Sequence, residues 1–324
     1  MTASRQLIQF GQLSQLSDWL TVLVLGIVSL ACTTTATPGQ HISAASVLSK
    51  IKNHEPVQLE NLTIDGDLDF TTLTAYPETE GTRKVVIESP VFFKNCVFTG
   101  KIVGFSQQKD QTTLCDFRKN LTFLGCKFNG EVNLQSISVA GIGCFSKSQF
   151  NRSASFEGAR FNSEAYFDNL LFAQEAHFQH VHFEKMANFW KSVWAGVAYF
   201  QGTVFDGDTQ FNLADFRANL DFSLCTTHGL LNFNYAQSTG RIFFDDCRFK
   251  NAVDFGNATL KEASFKGAFF DTKASFVNAK SETITFEKAF FLSQKPTFGF
   301  AAPQPISLNL AGARLMTAQS VAVE

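Results

Sequence analysis

Large apolar residues recur along this chain at alternating steps of five and six. Between Phe156 and Phe222 they are Phe156, Phe161, Phe167, Phe172, Phe178, Phe183, Phe189, Trp194, Phe200, Phe205, Phe211, Phe216 and Phe222, a repeat of 11 residues without a miss. Two residues before most of them stands a small side chain, as at Ala159, Ala165, Ala176, Ala187, Ser192, Ala198, Thr203 and Ala214. A helix buries positions 3.6 apart and a single strand buries every second one, so neither absorbs this spacing. A coil with short straight sides does, if each side turns one large and one small residue inward. The pattern therefore predicts an all-β solenoid.

The rhythm extends in both directions. Upstream it passes through Phe117, Phe123, Phe128, Leu134, Val139, Phe145 and Phe150, and earlier through Leu59, Ile64, Phe70, Phe93 and Phe98. Downstream it continues through Phe233, Phe244, Phe249 and Phe255, and the step shortens past Leu260. Two polar segments, Tyr76–Lys84 and Ser106–Gln111, interrupt the count and read as surface loops. Residues 59–298 form one repeat array rather than several globular domains. The ends of such an array expose unpaired strand edges and need covers. Ser43–Asn53 has Val47, Leu48 and Ile51 at helical spacing after a serine-rich start, which predicts a short capping helix. Leu310, Ala313 and Leu315 predict one further partial side, leaving residues 299–324 as C-terminal cap and tail.

The segments ADFRANLDF (Ala214–Phe222), NATLKEASFKGAFF (Asn257–Phe270) and SFEGARF (Ser155–Phe161) resemble the pentapeptide-repeat family, whose motif is loosely A-(D/N)-(L/F)-x-x. The resemblance covers residues 59–298. It implies a right-handed quadrilateral β-helix with four sides per coil. With sides of alternating five and six residues, one coil takes 22 residues, and the extra residue reads as a wider corner on every second side. Some members of the family inhibit DNA gyrase by mimicking duplex DNA, an alternative role that requires a strongly negative face.

Charge bears on that alternative. The net charge is −2, and removing residues 1–31 takes away one Arg and one Asp and leaves it unchanged. This is too little for a topoisomerase-directed DNA mimic, and no basic face marks a nucleic-acid binder. Phe accounts for 37 residues against four Tyr and three Trp, which suits a packed interior better than a stacking surface.

The N-terminus adds a location. Trp19–Ala31 is an uncharged apolar run of 13, the length of a signal-peptide core and short of the ~20 residues of a membrane span. It ends in Val28-Ser29-Leu30-Ala31-Cys32, which resembles a bacterial lipoprotein lipobox with Cys32 as the lipidated residue. Residues 1–31 then read as signal peptide or anchor, and residues 32–58 as tether and cap helix. The expected location is the bacterial cell envelope, membrane-anchored through the N-terminus and extracytoplasmic.

Little chemistry is left over. Cys96, Cys115, Cys126, Cys225 and Cys247 each precede an inward position by two and read as small buried filler. Cys225 and Cys247 are 22 apart, hence stacked at a spacing compatible with a disulfide. His177, His180 and His182 point outward and are candidate metal ligands, with at most two able to meet. They are also the basis of a third reading, an enzyme using an outward histidine cluster. The Asp65/Asp67 and Asp206/Asp208 pairs sit in Asp-Gly-Asp corners, where turn chemistry explains them. No nucleophile elbow, metalloprotease motif or phosphate loop is present, and no cofactor is expected. Leu171 and Val193, 22 apart and outward, together with Trp190 near the start of the same side as Val193, form a candidate partner patch. The reading that results is a non-enzymatic, envelope-tethered scaffold or interaction module for an unknown protein partner.

Overall fold

The computed structural model describes residues 39–293, 295–298 and 307–315. It is a parallel β-solenoid in which each strand pairs with the strand one coil further on. Leu171 lies opposite Val193 and Phe172 opposite Trp194, and these in turn oppose Asp215 and Phe216. Four walls result. Wall one contains Gln149–Phe150, Leu171–Phe172, Val193–Trp194 and Asp215–Phe216. Wall two contains Ala154–Ser155, Ala176–His177 and Ala198–Tyr199. Arg160–Phe161, His182–Phe183 and Val204–Phe205 lie on wall three, and Ala165–Tyr166, Ala187–Asn188 and Thr209–Gln210 on wall four.

The corners explain the alternating step. Walls four and two end in tight turns such as Phe156–Ala159, closed by the Ala159 N–H on the Phe156 carbonyl at 2.9 Å. The second central residue of each has positive φ, as at Gly158 (66°), Gly202 (67°), Asn169 (54°) and Lys191 (54°), the signature of a type II turn. Between Phe145 and Phe249 the other two corners carry no left-handed residue and hold the extra amino acid. Past Leu260 one corner residue is missing. Thr259–Ser264 runs straight from wall one into wall two, and its partner Lys280–Thr285 follows 21 residues on.

Inward side chains fill the coil completely. Phe189 stacks face to face on Phe167 at 5.1 Å and Phe211 at 4.6 Å, and meets Phe178 and Phe183 edge-on at 5.6 and 5.9 Å. Most neighbours along the axis stack, and many around the coil contact edge to face, which suits the ring quadrupole, while others such as Phe189 and Trp194 are tilted. Each fully buried side chain contributes ~1.5–3 kcal/mol of transfer free energy. The small residues make room, and Ser192 does more. Its Oγ accepts the indole N–H of buried Trp194 at 2.9 Å, where an alanine would leave that donor unpaired.

Two expectations are corrected. Tyr76–Lys84 and Ser106–Gln111 are not loops but the tips and arms of two β-hairpins, Ala75–Thr79 with Thr82–Ile87 and Phe105–Gln108 with Gln111–Phe117. The second strands of the two pair in parallel, Thr82 opposite Thr112 and Ile87 opposite Phe117, so the insertions stack like the coils that bear them. At the C-terminal end two sides are added rather than one: Ser307–Asn309 on Thr283–Thr285, and Arg314–Leu315 on Phe290–Phe291.

The first coil begins earlier than the phenylalanine rhythm. His41–Ser43 already pairs with Thr63–Asp65, and the helix Ala44–Lys52 follows it. Ser43 caps that helix by accepting the Ser46 N–H at 3.1 Å, and Ala44, Val47 and Ile51 are buried. No helix among the described residues is long and apolar enough to cross a membrane.

Candidate functional site

With the interior filled, chemistry is confined to outward columns, in which residues of successive coils lie side by side. The histidines do not converge. His177 on wall two stacks on Tyr199 at 5.0 Å, and His182 on wall three points at Asp206, Nε2 to Oδ2 2.7 Å. His180 occupies the left-handed corner between them, with φ 56°. No group of three or more His, Cys, Asp or Glu among the described residues can hold a metal ion.

His182 instead heads a ladder that the sequence reading missed. Asp206 Oδ1 lies 3.0 Å from His228 Nδ1, and Lys250 Nζ lies 2.9 Å from His228 Nε2. An ammonium can only donate, so Nε2 accepts and Nδ1–H faces the carboxylate. The signal was available: Asp206, His228 and Lys250 stand 22 apart. The second aspartate of each Asp-Gly-Asp corner is structural. Asp67 Oδ1 accepts the Lys101 N–H and Asp208 Oδ1 the Leu230 N–H, each at 2.8 Å.

The six cysteines among the described residues are free thiols, which removes the suggested bridge between Cys225 and Cys247. Each Sγ donates to a carbonyl of the previous coil, Phe200 and Phe222 respectively, at 2.9 Å. Parallel stacking sends both thiols the same way rather than toward each other. Burial pushes Cys115, Cys126, Cys144 and Cys225 above the ordinary thiol range, so these groups are poor nucleophiles. Cys32 lies outside the described residues.

Leu171 and Val193 are adjacent on wall one, both half-buried. Trp190 does not line the groove that they border. It stands at the corner with Lys191 Nζ 4.4 Å from its ring centroid. Leu213, at the same corner one coil on, is 43 % exposed. Leu171, Val193 and Leu213 line a shallow, solvent-open groove of about 580 Å³, together with Lys147, Lys191 and Arg217.

The described residues thus form a filled parallel β-solenoid. A family model described as pentapeptide repeats (9 copies) matches residues 145–193 and 189–237, the coils that bear this groove. Over these residues the chain is similar to pentapeptide repeats. No curated protein and no solved structure matches it.

Proposed function

We propose that this protein is a non-enzymatic scaffold of a bacterial cell envelope, tethered by lipid on Cys32 and presenting wall one to a protein partner. The filled interior carries the reading. Phenyl rings occupy the space where an enclosed substrate pocket would form, and what remains is a set of flat walls that carry an apolar strip at Leu171 and Val193. The tether draws its support from the apolar run Trp19–Ala31 and the lipobox-like residues that close it.

Fractionation tests the tether. The full chain is expected in the membrane fraction, with globomycin-sensitive processing, and Cys32→Ala is expected to accumulate unprocessed. A cytosolic pool of the wild-type chain would overturn the tether. For the partner face, Leu171→Asp/Val193→Asp is expected to abolish recovery of a partner from intact membranes while leaving the circular dichroism unchanged. Recovery of the same proteins by the variant would sink that part.

A further inference from the structure

The wall-one groove also specifies the chemistry of its occupant, and we propose that it takes an acidic protein segment anchored by apolar side chains. The inference rests on wall one being the partner face.

The apolar part spans three coils. Leu171 and Val193 are paired neighbours, and Leu213 continues the strip from the following tight corner. Leu213 is held in the left-handed region at φ 61°, which costs a residue with a Cβ roughly 1–2 kcal/mol. The same corner carries Lys191 one coil earlier and Tyr235 one coil later, and Asn169, Asn257 and Asn278, a residue type that tolerates this conformation, further along the column. A leucine there carries the same backbone strain as the lysines and the tyrosine of the column and keeps 43 % of its surface in solvent, so it adds an exposed apolar group to the strip.

The polar part has one sign. Lys147 and Lys191 occupy the same corner column two coils apart, about 10 Å at the ~4.8 Å spacing of adjacent strands. Both are exposed, and neither makes an ion pair with a carboxylate among the described residues. Trp190 fixes the height of Lys191 by lying under its ammonium. Lys127 and Arg217 extend the positive margin. Along the outward columns of wall one from Lys127 to Arg217 the single carboxylate is Asp215, which Arg217 Nε already engages at 2.8 Å. Asp168 is buried below the corner and bonded to Ser146 Oγ at 2.5 Å and Asn169 Nδ2 at 2.8 Å.

Two ammoniums without a carboxylate partner, flanking an apolar strip, complement carboxylates flanking apolar side chains. The groove is open to solvent along its length, which suits an extended or helical segment better than a small molecule that needs enclosure. Exposed charge pairs give specificity and on-rate more than affinity, so binding should weaken steeply with salt.

Fluorescence anisotropy on the full chain tests this with a labelled synthetic peptide in which leucines alternate with glutamates. Peptides with glutamine or lysine in place of glutamate serve as controls. Binding to the glutamate peptide is expected, with a loss of about tenfold or more in the glutamine peptide and in Lys147→Glu/Lys191→Glu. Leu213→Ser is expected to weaken it too, while Lys185→Glu, outside the groove, leaves it unchanged. Circular dichroism checks that each variant is folded.

Absence of binding, equal binding of all three peptides, or indifference to the lysine reversals overturns the proposal. So does pelleting with phosphatidylglycerol vesicles that needs Lys147 and Lys191 when the peptide does not bind, which would assign the groove to a lipid surface. Fractionation does not enter this assay, so failure of the tether and failure of the groove are separately readable.

Discussion

Ser192 and Trp194 offer the sharpest test of how the interior is held. Trp194 is 1 % exposed, and its indole N–H has Ser192 Oγ as acceptor at 2.9 Å. Ser192→Ala leaves that donor unpaired beyond the reach of water, a loss of about 1–3 kcal/mol. The Phe189 carbonyl, which accepts the Ser192 hydroxyl at 2.6 Å, keeps the Ser192 N–H at 3.2 Å and is not orphaned. Trp194→Phe alone removes ring volume between Phe172 and Phe216 and should cost about 1–2 kcal/mol. The double variant reproduces the alanine–phenylalanine pair already present at Ala214 and Phe216. The serine substitution should therefore cost at least about 1 kcal/mol less in the phenylalanine background. Solenoids open coil by coil, so the cycle is read both by denaturation and by hydrogen exchange at the amides around Trp194. An additive cycle, with the same Ser192→Ala loss in both backgrounds, would refute the argument.

The remaining predictions concern corners and thiols. Tyr235→Asn replaces an aromatic side chain at φ 58° with a residue that tolerates the left-handed region, and should raise stability by about 0.5–1 kcal/mol in thermal unfolding. Gly143→Ala places a Cβ 2.6 Å from Phe161 Cδ1, and should cost about 1–3 kcal/mol by the same measurement. Cys225 and Cys247, buried and bonded to carbonyls, should be recovered as free thiols by mass analysis without reductant and should alkylate only after unfolding. A bridged pair in the purified protein would contradict the parallel geometry.

The lumen was legible because inward and outward positions alternate strictly once the coil closes, and each phenylalanine from Phe117 to Phe291 at an inward position is buried. The wider corner was legible as the sixth residue of alternate sides. The hairpins were not. Tyr76–Lys84 and Ser106–Gln111 bury almost nothing, so no apolar alternation marks them as strands, and their stacking at a separation of 30 residues is hidden from a 22-residue register. The candidate patch was legible in part. Leu171 and Val193 follow from the spacing of 22, whereas Leu213 reaches the groove from a corner and has no place in a reading of straight sides.

The sequence by itself determined the period, the inward faces and the coil length, because burying one large and one small side chain per side is a local rule repeated in every coil. It also determined that Cys96, Cys115, Cys126, Cys225 and Cys247 and most aromatics are buried in the lumen. Only the tertiary structure decided what lies on the outside. Outward residues obey no burial rule, and their meaning comes from which coil and which corner they share. That is why Asp206, His228 and Lys250 form a ladder on one wall, while Lys147, Lys191 and Leu213 gather around a groove on another.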